Sequence, residues 1–180
     1  MTSRGIYYII PDRTFFIATN QGRSAAPEKG TEKMKDVLIS IKGVQFDPDG
    51  DENGVEFVTD GLFEYKNGHG SFSYMESELT GLEGTKTSFI VSPADVVMMR
   101  EGSLSSRMVF EQGKKHNFLY ETPFGATTMG VNTKSVFVDL NEHGGDMEID
   151  YVVDFQHSVV GRNMFKINVR EQKDEMKWQI

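Results

Sequence analysis

Between Ser71 and Gly81 the chain places Tyr74, Glu76 and Glu78 at every second position. In an extended strand, residues two apart share a face. Phe72, Tyr74, Glu76 and Glu78 therefore point one way, and Ser73, Met75, Ser77 and Leu79 the other. Two carboxylates turned into an interior repel, which raises the pKa of one of them and suits general acid/base chemistry. A guanidinium beside them offsets the repulsion and matches a carboxylate at two points. Arg100 is placed for this, at the end of a strand pattern whose same-face neighbours are Val96 and Met98. Tyr120 and Thr122 share a face beside Pro123. The expectation is an interior hydrogen-bonded cluster of Glu76, Glu78, Arg100 and one or more tyrosines. It would serve as a ligand site or as an acid/base pair, with Tyr74 or Tyr120 orienting the substrate. The plainer alternative is a salt-bridge network that closes a barrel, or charges that face water, as most charged strand residues do. The opposite face assignment puts Met75 and Leu79 inside and both glutamates outside.

Other chemistries find little support. The histidines at 69, 116, 143 and 157 are scattered, with no pair at ligand spacing, so no metal site is expected. The run Asp47-Pro48-Asp49-Gly50-Asp51 resembles part of a calcium loop but lacks the twelfth-position Glu and the helical flanks. Gly81 to Thr87 has the wrong glycine-to-lysine spacing for a phosphate loop. No dinucleotide fingerprint or nucleophile elbow occurs, and no cofactor is expected.

The elements that would position these residues are strands. The 180-residue chain is 38% hydrophobic, which suits antiparallel sheets with one wet face better than a buried parallel sheet. From Asp36, Val37, Ile39 and Ile41 alternate with Leu38, Ser40 and Lys42, and Gly43 suggests a bend or bulge. Val55 to Lys66 reads as a long strand. Asn67-Gly68 is a strong two-residue hairpin signal, leading into the Ser71–Gly81 stretch. Further strands are expected at Thr85–Val91, Ala94–Arg100, Ser106–Glu111, Lys115–Glu121 and Ala126–Leu140. Met147, Ile149, Tyr151, Val153 and Phe155 give the clearest alternation in the chain. Ser158 to Arg162 reads as a turn, and Phe165, Ile167 and Val169 as a last strand. Strand patterns at intervals of roughly 8–15 residues, joined by short turns, predict an all-β, antiparallel, up-and-down barrel of about 8–10 strands.

Residues 1–33 differ in composition from the rest. After Ile6–Ile10 and Phe15–Ile17 they turn to Asn, Gln, Gly, Ser and Pro, and the expectation is an N-terminal extension of loop-like or disordered composition. The barrel domain is placed at 34–171 and a polar tail at 172–180. Pro11-Asp12-Arg13 interrupts the first apolar run, which argues against a secretory signal.

The net charge of −8 and pI of about 5.0, with no Lys/Arg run, argue against nucleic acid and anionic membrane surfaces as partners. The chain has no cysteine, which is compatible with a reducing cytoplasm.

At its motifs the sequence resembles the uncharacterised bacterial YwiB-like β-barrel family. The matching features are Tyr74-x-Glu76-x-Glu78-x-x-Gly81, Arg100-x-Gly102 and Tyr120-x-Thr122-Pro123-x-Gly125, with Tyr151 on a late strand. The likeness runs from about Met34 to Glu171 and leaves residues 1–33 outside. It implies a calycin-like barrel, similar in architecture to lipocalins, and no established activity.

Together these readings predict a small cytoplasmic barrel holding one polar or amphipathic small molecule, with candidate ligand-binding residues Tyr74, Glu76, Glu78, Arg100, Tyr120, Thr122 and Tyr151. An enzyme using Glu76 or Glu78 as general acid/base, and a structural or dimerising interaction module, are the alternatives. The oligomeric state is expected to be monomer or homodimer.

Overall fold

Several turns in this chain follow from a short run of residues, and most of the strands between them alternate in burial. Asn67 and Gly68 both take positive φ, 52° and 80°, as the expected hairpin requires. The computed structural model describes residues 34–102, 105–122 and 125–172, and the side chains of residues 119–126 fall outside that description. The extension expected over residues 1–33, and the tail expected from 172 onward apart from Gln172 itself, lie outside the described residues.

The strands are β1 (Lys35–Phe46), β2 (Glu52–Lys66), β3 (His69–Met75), β4 (Thr85–Val91), β5 (Val96–Gly102), β6 (Ser106–Phe110), β7 (Lys115–Thr122), β8 (Gly125–Asn141), β9 (Gly144–Phe155) and β10 (Ser158–Glu171). They form one ten-stranded antiparallel sheet in the order β6-β5-β4-β3-β2-β1-β10-β9-β8-β7. Every neighbour in that order follows its partner in sequence, except where β1 meets β10 and joins the chain's beginning to its end. The sheet curls into a nearly closed barrel. At the remaining seam β6 lies against β7 and β8 without a hydrogen-bonded ladder. Side chains bridge the seam instead: the ring of Phe110 on β6 packs 4.9 Å from that of Tyr151 on β9.

The interior is apolar at one end. Val37, Ile39, Phe63, Phe72, Phe89, Val96, Met98, Phe110, Met147, Ile149, Ile167 and Val169 form a continuous buried cluster. Moving along the inward rows, the residue types change. On β3 the order is Phe72, Tyr74, then Glu76 just past the strand; on β4 it is Val91, Phe89, Thr87, Thr85; on β5 it is Val96, Met98, Arg100; and on β10 it is Val169, Ile167, Phe165, Asn163. The barrel is therefore oil-filled in one half and polar toward the end where the odd-numbered strands finish.

Two local expectations are corrected. Gly43 carries no bulge, because its register runs unbroken against both Val55 and Phe165. Ser158 to Arg162 is strand rather than turn. The turn lies at Gln156 and His157, which take φ of 49° and 69° without a glycine to mark them. Gly161 marks a register shift in the β9/β10 ladder instead. The acidic run at 47–51 is a self-capped turn, in which Asp47 Oδ1 accepts from the backbone N–H of Asp49 at 3.0 Å and of Asp51 at 2.8 Å.

Candidate functional site

The hairpin registers assemble the polar half of the barrel. β3 pairs with β4 so that Tyr74 lies opposite Thr87, and β4 pairs with β5 so that Thr87 lies opposite Arg100. Glu76 sits one step beyond the end of β3, where its N–H still donates to the Thr85 carbonyl at 2.8 Å. This last bond keeps Glu76 in the inward row. Its side chain is 1% exposed, and that of Arg100 is 16% exposed.

Glu78 does not follow, which corrects the expected four-residue face. The strand stops at Met75, and Glu78–Thr80 form a single 3-10 turn. The turn is held by Thr80 N–H and Oγ1, both donating to the Ser77 carbonyl, and by Gly81, which takes φ of 70° and donates to the Glu78 carbonyl. Glu78 is exposed and stands on the rim of the cavity. The second carboxylate required for an interior acid/base pair is thus outside. Met75 and Leu79 are exposed as well, so the alternative face assignment is not adopted for Glu76.

Around Glu76 the geometry is asymmetric. Thr87 Oγ1 donates to Glu76 Oε1 at 2.5 Å. Arg100 Nε lies 3.9 Å from the same oxygen, close enough for charge attraction but too far for a hydrogen bond. Glu76 Oε2 and Arg100 Nε are both buried without a hydrogen-bond partner among the described residues, and so is Asn163 Nδ2. Buried polar atoms are ordinarily paired, so three orphans on residues that line one space single that space out.

That space is a cavity of about 390 Å³. Its apolar wall includes Ile41, Val55, Phe57 and Phe165, and its polar wall includes Tyr74, Glu76, Arg100, Tyr151 and Asn163. It opens because β2 outruns β3: only Gly61–Lys66 of β2 pair with β3, and the loop at 76–82 stands opposite the unpaired part. Tyr151 lies opposite Asn163 in the β9/β10 ladder, so the two share this wall.

Burial pushes the Tyr74 hydroxyl well above the ordinary tyrosine value of 10.0; the Glu76 carboxylate pushes the same way, and Arg100 opposes both. Tyr74 is thus a hydrogen-bonding phenol and not a base. The folded protein holds this proton at a pH where the unfolded chain has lost it. Its contribution to stability is full below about pH 10 and declines as pH rises beyond that. Tyr74→Phe will therefore lose stability less steeply than the wild type between about pH 9 and 11. Urea midpoints across that range measure it, and equal slopes would contradict the assignment.

Of the seven residues singled out from sequence, Tyr74, Glu76, Glu78, Arg100 and Tyr151 all line this cavity. Tyr120 and Thr122 lie near the end of β7, opposite Thr127 and Gly125. Thr87, Asn163, Phe57 and Phe165 were not singled out. Thr87 could have been found by extending the hairpin register from Arg100. Asn163 was hidden by the misplaced turn at Ser158–Arg162. Among the described residues no group of three or more His, Asp or Glu is placed to hold a metal, and no helix is long and apolar enough to cross a membrane.

Residues 39–167 match a family model described as a domain of unknown function, DUF1934. The uncharacterized β-barrel protein YwiB of Bacillus subtilis (strain 168) is 30% identical over 115 residues, 64% of this chain and 79% of that protein. A crystal structure of the ywiB protein from Bacillus subtilis aligns with a TM-score of 0.61 at 24% identity, covering 78% of this chain and 94% of that one. At that identity the structural likeness speaks to the fold.

Proposed function

This chain belongs to the DUF1934 family, whose function is unknown, and we propose on its own side chains that it is a binding barrel for a small polar or amphipathic molecule. The observation that carries this reading is the buried Glu76–Arg100 pair, two residues that line a cavity of about 390 Å³ and each keep a hydrogen-bonding atom unused. Cavities of a few hundred Å³ with an apolar wall and a few polar groups are the usual form of a small-molecule site. A pair retained only for stability would close to hydrogen-bonding distance, since a buried charge is costly without full pairing. The sequential meander, joined through β1 and β10, supports the finer reading of a calycin-like barrel. The cysteine-free composition supports a cytoplasmic setting, and the net charge of −8 supports a partner other than nucleic acid or an anionic membrane.

Native mass spectrometry of the protein purified from its own cells tests the reading. The expected spectrum shows a mass excess above the bare chain that disappears on denaturation. A folded charge-state distribution at the bare mass alone would contradict it.

A further inference from the structure

The barrel wall has a free margin beside the mouth of the cavity. Every residue of β2 from Glu52 to Phe63 pairs with β1, but only Gly61–Lys66 pair with β3. From Glu52 to Asp60, one edge of β2 therefore has no strand against it among the described residues. β3 ends at Met75, Glu76 makes one more backbone bond to Thr85, and the chain then turns away through Glu78–Thr80. Among the described residues no backbone hydrogen bond joins residues 52–60 to that turn. The cavity opens in the gap, with Asn53, Gly54, Val55 and Phe57 on one lip and Leu79, Thr80, Gly81 and Leu82 on the other. We infer that this edge takes an extended peptide of another protein as an added strand, with apolar side chains facing the barrel and basic ones facing water. The inference goes beyond the small molecule proposed above, because it concerns the margin of the wall and not the base of the cavity.

The backbone, the apolar surface and the charge each choose this occupant. In a strand, alternate residues direct both N–H and C=O to the same side, so a free edge offers a row of donors and acceptors spaced for another extended backbone. Val55 and Phe57 lie opposite Gly43 and Ile41 and so face the barrel. Val55 is 36% exposed, and Leu79 on the opposite lip is 73% exposed. Apolar side chains on the barrel-facing positions of an added strand would cover both.

The water-facing row of β2 carries Glu52, Glu56 and Asp60, and Glu78 and Glu83 are exposed on the turn across the gap. Against these carboxylates stand Lys42, 3.8 Å from Glu56, and Lys86, opposite Met75 in the β3/β4 ladder. The excess of negative charge favours a strand with basic residues on its outer positions. It also disfavours a second copy pairing edge to edge, since that copy brings the same carboxylates and a net charge of −8.

Titration of the full chain with a capped peptide, read by residue-resolved amide exchange, tests the inference. Laid antiparallel along Glu52–Val58, the peptide carries lysine opposite Glu52 and Glu56, leucine opposite Phe57, valine opposite Val55 and threonine elsewhere. Binding should be saturable and should add protection at alternate amides between Glu52 and Val58, with none added in β10. The same peptide with glutamate in place of lysine should bind at least about tenfold more weakly. Two further versions carry N-methyl groups on alternate residues, one in each register. The version whose methyl groups face β2 should lose at least about tenfold in affinity, and the other should not. Glu52→Lys/Glu56→Lys, at two exposed positions, should reverse the preference between the lysine and glutamate peptides. Equal binding of the two N-methyl versions would overturn the inference, because charge alone would then explain the attraction. So would an absence of binding, or residues 52–58 already fully protected in the free protein, which would mean that a second copy or another segment of the chain covers the edge. None of these outcomes bears on the small-molecule reading, which native mass spectrometry decides separately.

Discussion

Arg100→Met will destabilise the fold by about 3–5 kcal/mol, toward the lower figure because the Arg100 side chain keeps 16% exposure. The loss does not come from a broken hydrogen bond, since Arg100 Nε makes none with Glu76. It comes from leaving the Glu76 carboxylate, 1% exposed, with the Thr87 and Tyr74 hydroxyls beside it but no countercharge inside the barrel. Replacing the pair together, as Glu76→Leu/Arg100→Met, should recover most of that loss, because no buried charge then remains. Urea unfolding of the wild type, the single variant and the double variant measures this directly. A single variant within about 1 kcal/mol of wild type would mean the pair is solvated like a surface bridge. A double variant as weak as the single one would mean that shape, rather than charge, is what the site requires.

Phe110→Ala will cost about 3–5 kcal/mol, because Phe110 is wholly buried and the barrel has no ladder where β6 meets β7. Elsewhere around the wall, ladder hydrogen bonds hold each strand to its neighbours. At this seam closure depends on packing, and Phe110 reaches across to the Tyr151 ring. Phe110→Leu keeps most of the apolar volume and should retain more than half of the lost stability. Amide exchange adds a second readout. In Phe110→Ala, protection should fall first in β6 and β7, while β1, paired on both sides by β2 and β10, should keep it. Uniform loss across all strands would contradict a locally closed seam.

The sequence conveyed most of the wall and part of the site. The alternation of Met147, Ile149, Tyr151 and Val153 and the Asn67-Gly68 turn each have a local cause, and each element stands where it was expected. What local patterns missed was set by context. Gln156 and His157 adopt left-handed φ because β9 and β10 must pair beyond them, a demand no residue type announces. Gly43 looked like a break in the backbone, yet its backbone is regular and a Cβ there would meet Phe165 and Val55 only at ordinary contact distance. Glu76 and Glu78 read alike by parity. They separate because Ser77, Thr80 and Gly81 close a turn between the strand and the second carboxylate. The meeting of Glu76 with Arg100 was legible from residue type and strand position. The part played by Thr87 was not, because it depends on the register across three strands.

The most direct test of a ligand held in the cavity lined by Glu76 and Arg100 is a crystal structure of the protein isolated from its own cells. The account predicts continuous density for a non-protein molecule in the cavity beside Glu76 and Arg100, with Phe57 and Phe165 against it. A guanidinium closed onto the carboxylate in a bidentate pair, with only ordered water in the remaining space, would contradict it.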